Sequence, residues 1–172
     1  MNLQADDFEL FGLPRQFTQE RNVLDARWKQ LQREAHPDRF ASQGAAAQRV
    51  AMQWSVRINE AYQRLKNPLK RAAYLCELMG APVQAEDNTA MPAAFLMQQM
   101  QWREALEEVV EERDLDKIEA EVGQEQKRLL TECAHLLDET QNATAAVQNV
   151  RALMFVERFV QDLERQRDQL GQ

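Results

Sequence analysis

Residues 33–40 read REAHPDRF, and the fold turns on how this stretch is read. Pro37 has no amide hydrogen and pushes His36 out of helical geometry, so a helix arriving from the N-terminal side has to end here. As local structure, Pro37 is a stop, His36 a cation that complements the C-terminal end of the helix dipole, and Asp38 the opener of a turn. As a site, the same residues put a histidine and a carboxylate on an exposed connection, HPDRFASQGA, between two helices. A catalytic reading would make His36 and Asp38 a base and its orienter. No nucleophile motif, glycine-rich phosphate loop or metal-ligand cluster accompanies them, so neither catalysis nor a cofactor or metal is expected.

Upstream of the bend, a short helix over DDFELFGL should bury Phe8, Phe11 and Leu13 and break at Pro14. A long second helix is expected from a cap at Thr18 to Ala35. Its Leu24, Trp28, Leu31 and Ala35 recur at helical spacing and form one core-facing stripe. Asn22, Lys29 and Arg33 lie on the far side, flanked by Arg21 and Arg27, which makes that face basic. Beyond the bend, a third helix over 45–66 carries Val50, Trp54, Ile58, Ala61 and Leu65 at a matching period, and the two stripes should pack antiparallel. Asn67 is placed to cap a fourth helix with Pro68 at its first position, Leu69, Ala72, Leu75, Cys76 and Met79 along it, and Gly80 just past its end.

GAPVQAEDNTAMP, residues 80–92, gathers prolines, a glycine and turn formers, and marks a boundary. The expected organisation is all-α: an N-terminal unit over 1–79, a linker over 80–92 and a C-terminal three-helix bundle over 93–172, its helices at about 92–113, 115–138 and 144–170. On the first of these helices Phe95, Trp102, Leu106 and Val109 form the core stripe. Leu96, Met97 and Met100 fall away from it, and continue into Gln101, Glu104, Glu108 and Glu111. An apolar patch running into an acidic strip is the signature of a partner site, and Met suits an adaptable contact. The last helix repeats the pattern, with Phe155 and Phe159 pointing away from the stripe of Leu153, Val156, Val160 and Leu163. A bundle that bends its helices could instead bury both sets.

The chain has 172 residues, 44% hydrophobic and 28% charged, with five Gly and five Pro, a soluble globular composition rich in helix formers. A net charge of −7 argues against nucleic acid, whose phosphates call for clustered Lys and Arg. No run approaches the roughly 18 apolar residues of a membrane span, and MNLQADDFEL lacks the order of a secretory signal. No membrane partner is expected, and the cytoplasm is the default location. Cys76 and Cys133 are isolated within apolar helical patterns and read as small core residues. His135 would face a different side of the helix from Cys133, so a shared metal is not expected.

A short first helix, a basic-faced second helix, His-Pro-Asp at its end and a long antiparallel third helix together resemble the J domain, over about residues 5 to 76. J domains stimulate the ATPase of DnaK-type chaperones. Over nearly its full length, through FELFGLP, HPDRFAS, INEAYQRLKNPLKRAAYL and FLMQQMQWREALEEV, the chain is similar to the HscB family, J-domain co-chaperones of iron–sulfur cluster assembly. The resemblance implies that His36, Pro37 and Asp38 form the signalling tripeptide, and that Arg27, Lys29 and Arg33 belong to the helix that docks on the chaperone HscA. It also implies that Leu96, Met97, Met100, Glu104, Glu108 and Phe155 contact the cluster scaffold IscU. Two positions depart from the family pattern: Ala35, where J domains usually hold an aromatic residue, and Gln101, where an acidic residue is usual.

Overall fold

Asp6 sets the first helix by accepting a hydrogen bond from the Glu9 amide (2.9 Å), so α1 runs Asp7–Phe11. In the computed structural model, which describes residues 2–84 and 91–171, every regular element among the described residues is helical. Backbone contacts divide the chain into two compact units, Met1–Leu75 and Cys76–Gln172.

In the first unit, α1 ends at Phe11, three residues before the expected proline. Gly12 takes a left-handed conformation (φ 64°), and the Leu13 amide bonds back to the Phe8 carbonyl (2.9 Å). Phe8 and Phe11 are buried as expected, whereas Leu13 stays half-exposed and Phe17 fills the core instead. Helix α2 spans Arg21–Ala35, starting later than Thr18, with Glu20 at the cap position and no side-chain cap bond. Leu24 and Ala35 are buried, Trp28 and Leu31 half-buried. Pro37 ends the helix, but the connection is not an open loop: Pro37–Gln43 winds into a 3-10 helix that Gly44 (φ 97°) terminates.

Helix α3, Ala45–Lys66, returns antiparallel to α2. Three polar rungs show the direction. The Tyr62 hydroxyl donates to Asp25 (2.5 Å), Trp28 Nε1 and Gln32 Nε2 donate to Asn59 Oδ1 (3.0 and 2.7 Å), and the Ser55 hydroxyl donates to Gln32 Oε1 (3.0 Å). Ile58, Ala61 and Leu65 are core residues as expected, but Val50 is 51% exposed and Ala51 takes its place. A 3.6-residue turn lets the stripe step back from Trp54 by three residues instead of four. Asn67 Oδ1 accepts from the Lys70 amide (3.1 Å) and opens α4, Pro68–Leu78. Asp7, fully buried, accepts from Arg57 Nη1 (2.8 Å) and from Arg64 Nε and Nη2 (2.6 and 3.0 Å), while its amide donates to the Tyr74 hydroxyl (3.0 Å). That cluster ties α1 to α3 and α4.

In the second unit, Gly80 (φ 84°) ends α4, with the Ala81 amide bonded to the Cys76 carbonyl (2.8 Å). The next residues run along the bundle, where the buried Arg151 donates twice to the Val83 carbonyl (3.1 and 2.8 Å). The middle of the expected linker, residues 85–90, lies outside the described residues. Helix α5 covers Ala93–Glu107, α6 Glu112–Ala134, and α7 Ala143–Leu170, with one π-helical turn, His135–Glu139, between the last two.

Helix α5 is thus shorter than the periodicity implied. Glu104, Glu107 and Glu108 crowd its C-terminal end, where negative charge opposes the dipole. A reciprocal cap between Glu111 and Asp114 starts α6, with Asp114 Oδ2 accepting from the Val110 and Glu111 amides (3.0 and 3.1 Å). Phe95 meets Phe155 (centroids 6.4 Å), Trp102 stacks on Phe159 (5.6 Å), and Arg103 pairs with Asp162 (2.6 Å). Both sets of numbers rise together, so α5 and α7 are parallel. Arg167 near the end of α7 pairs with Asp116 and Glu119 near the start of α6 (3.0 and 2.8 Å), which makes α6 antiparallel to α7. Phe159 is therefore buried against Trp102, a core residue and not part of an outward face.

Candidate functional site

The His36 ring acts as its own cap. Its Nδ1 accepts from the Asp38 amide (3.2 Å) and lies 3.7 Å from the Asp38 carboxylate, with the His36 backbone extended (ψ 129°) and Pro37 fixing the next residue. Both side chains remain open to solvent, His36 at 57% and Asp38 at 92% exposure. A residue that spacing did not single out closes the bend: Arg39 Nη1 donates to the Arg33 carbonyl (3.3 Å), satisfying an end carbonyl of α2. Polar groups are thus held on a stiff corner without being covered.

On α2, Arg21 is engaged with Asp25 (2.9 Å) and over the Tyr62 ring (6.0 Å to the centroid). The Tyr62 hydroxyl, then Arg21, hold the Asp25 carboxyl below its ordinary range. Lys29, Arg33 and Arg27 are exposed and make no ion pair within 4.0 Å among the described residues. Arg27 stands apart from Lys29 and Arg33: its guanidinium covers Gly12, where an added Cβ would lie 3.1 Å from Nη1. The structure therefore groups Lys29 and Arg33 on one face and sets Arg27 beside the α1–α2 turn.

In the bundle, Leu96, Met97 and Met100 are 44%, 62% and 63% exposed, while Phe95 and Trp102 on the same helix are buried. Gln101, Glu104 and Glu108 are exposed and extend the patch toward the C-terminal end of α5. Phe155 is half-buried beside Phe95, with the Arg158 guanidinium over its ring (5.6 Å). It borders the patch on α7 instead of standing out from it.

Cys76 and Cys133 are both fully buried and free. Burial pushes their thiols up, to about 11 and about 12. His135 bonds Glu139 (2.6 Å) on the surface. Among the described residues no group of three or more His, Cys, Asp or Glu could hold a metal ion, and no helix is long and apolar enough to cross a membrane.

A buried short helix, a basic-faced antiparallel hairpin with His-Pro-Asp exposed at its bend, and a following helical bundle define a J-domain co-chaperone. Residues 91–164 match the family model described as the HSCB C-terminal oligomerisation domain. The chain is 50% identical over 171 residues to the co-chaperone protein HscB homolog of Cupriavidus taiwanensis (98% of this chain, 97% of the relative), and 47% identical over 163 residues to that of Bordetella petrii (94% and 96%). It superposes on chaperone HscB from Vibrio cholerae with a TM-score of 0.81 at 35% identity (96% and 99% covered). Against human co-chaperone protein HscB the TM-score is 0.90 at 25% identity (97% and 84%). The chain belongs to the HscB family, the J-domain co-chaperones of iron–sulfur cluster biogenesis.

Proposed function

We propose that this chain stimulates the ATPase of the DnaK-type chaperone HscA and delivers the cluster scaffold IscU to it, in the cytoplasm. Residues 1–79 act as the J domain, 80–92 as a linker and 93–172 as the scaffold-binding bundle. The observation that carries this reading is that one chain leaves two chemically different surfaces open, the bend at His36 and the patch at Leu96, Met97 and Met100.

Lys29 and Arg33, with Arg27 to one side, steer the module onto an acidic surface of the chaperone, and His36, Pro37 and Asp38 then present fixed hydrogen-bonding groups. Leu96, Met97, Met100 and the edge of Phe155 anchor the scaffold by apolar burial, while Glu104 and Glu108 meet cations at the rim. Holding the scaffold while docking on the chaperone makes the second encounter nearly intramolecular and raises its effective concentration.

Steady-state ATP turnover by HscA, with this chain and IscU added separately and together, tests the reading. Stimulation by the chain alone and a further increment with IscU are expected. His36→Gln should abolish both while the helical content persists; stimulation by this variant equal to wild type would end the J-domain account. A Leu96, Met97 and Phe155 triple alanine should keep the basal stimulation and lose the increment, each truncation costing about 1–2 kcal/mol of scaffold affinity. An increment absent in wild type as well assigns the bundle another client.

A further inference from the structure

Outside α5, the largest group of exposed apolar side chains among the described residues lies on the first turns of α3, where Val50, Met52 and Val56 are 51%, 59% and 53% exposed. Val is one of the weaker helix formers and Val56 gains no burial, so the helix itself does not call for it. The polar rungs between α2 and α3 show where two of these side chains stand. Tyr62 meets Asp25, Asn59 meets Trp28 and Gln32, and Ser55 meets Gln32, so numbers rise on one helix as they fall on the other. Continued in step, this register sets Met52 level with Ala35 and Val56 level with Leu31. Met52 therefore stands beside the last turn of α2, next to His36.

The direction in which they point follows from the same rungs. At about 100° per residue, Met52 and Val56 fall within about 60° of Asn59, on the side away from the core stripe of Ile58 and Leu65. Lys29 and Arg33 follow Gln32 in the same sense on α2, within about 100°. Both helices thus turn these residues outward from one seam. Arg57 and Arg64 leave α3 toward Asp7 on α1, and Arg27 leaves α2 toward Gly12, so α1 occupies the other side of the hairpin and leaves this one open. Val50 does not belong to this face, because it lies about 160° round the helix from Met52. The charges around the apolar pair are mostly cationic. Lys29 and Arg33 lie across the seam and the exposed Arg49 one turn before Met52; Asp25 is engaged by Arg21 and Tyr62, and Glu60 stands at the far end, one turn past Val56.

We propose that Met52 and Val56 are an apolar anchor for the chaperone, taking an aliphatic side chain that lies among carboxylates on its surface. The inference rests on the chaperone reading given above and extends that docking face from α2 across the seam to α3. Continuity selects this occupant. A protein that engages Lys29, Arg33 and the bend at His36 lies over Met52, and cations on both flanks of an apolar pair fit an acidic rim around an apolar centre. The cations and the anchor have separate parts: charge brings the partner in, and burial of Met52 and Val56 slows its departure.

The test titrates ATP turnover by HscA with the full chain, without scaffold. Met52→Ala combined with Val56→Ala should raise the concentration giving half-maximal stimulation about tenfold and leave maximal stimulation at the wild-type value, because the bend is untouched. Val50→Ala, a truncation of similar exposure on the other side of α3, should titrate as wild type. The thermal midpoint should not move, since the side chains removed are more than half exposed. Met52→Gln, which keeps length and helix propensity, serves if the double variant melts lower, and should raise the half-maximal concentration severalfold. A double variant that titrates as wild type refutes the anchor, as does a loss that Val50→Ala reproduces or one that vanishes at high salt. Sedimentation that shows self-association of the chain, abolished in the double variant, would give the face to a second copy and overturn the proposal. His36→Gln separates the two levels. If it abolishes stimulation while the double variant titrates as wild type, the chaperone reading stands without the anchor; if it stimulates as wild type does, that reading itself has failed.

Discussion

Asp7 carries more of the first unit than its place in a five-residue helix suggests. A helix that short cannot persist alone, because nucleation is not repaid within one turn. It is held by burying Phe8 and Phe11 and by a carboxylate fully removed from water, which two guanidiniums and a tyrosine on other helices surround. Asp7→Ala should lower the stability of this unit by about 3 kcal/mol, toward the low end for a broken buried pair because Arg64 is partly solvated and can rehydrate. Urea unfolding followed by fluorescence of Trp28 and Trp54 measures it. A loss within a few tenths of a kcal/mol would mean that the apolar contacts alone hold α1. His36 and Asp38, by contrast, are braced by local bonds and contribute little to the core, so their substitution separates signalling from folding.

Helix α6 shows how an element's start can depend on one carboxylate. Asp114 accepts from the Val110 and Glu111 amides, and these two bonds hold its carboxyl below the usual 3.8. A group with a depressed folded-state pKa adds stability that is complete above the unfolded value and disappears as pH falls through the folded value. Asp114→Asn keeps the cap geometry without the charge. Its melting temperature should fall below wild type at about pH 6 and converge with it as the pH drops through the depressed value of the Asp114 carboxyl, checked by paired thermal melts. A pH-independent difference would locate the effect in packing. Helix α5 is the converse case: its core positions Phe95 and Trp102 were visible in the spacing, but its end was not. The periodic pattern continues through Leu106 and Val109, and only the cap of the next helix, together with acidic side chains at the wrong end of the dipole, stops it at Glu107.

Charge is divided unequally along the chain. Residues 1–75 hold 12 Lys and Arg against 8 Asp and Glu, whereas residues 76–172 hold 9 against 20. A single net charge of −7 hides two units of opposite sign, and the two proposed encounters should respond differently to salt. Raising ionic strength from about 0.05 M to about 0.5 M should weaken chaperone docking severalfold and change scaffold binding much less, since apolar contacts are not screened. Titrations of each partner at both salt concentrations measure this, and equal salt dependence would overturn the division of labour. Proline and glycine punctuation, the cap at Asn67 and the two helical stripes were legible along the chain because they are local: each depends on neighbours within a few residues. So was the pairing of a basic helix with His-Pro-Asp, and the exposure of Leu96, Met97 and Met100 on the far side of their helix. Contacts between helices distant in sequence were not legible. Packing alone decided that Ala51 replaces Val50 in the core, that Phe159 lies under Trp102 while Phe155 stays at the edge, and that Asp7 gathers two arginines. The reason is that periodicity names the faces of a helix, whereas which face meets which neighbour depends on the volumes of side chains brought together from across the chain.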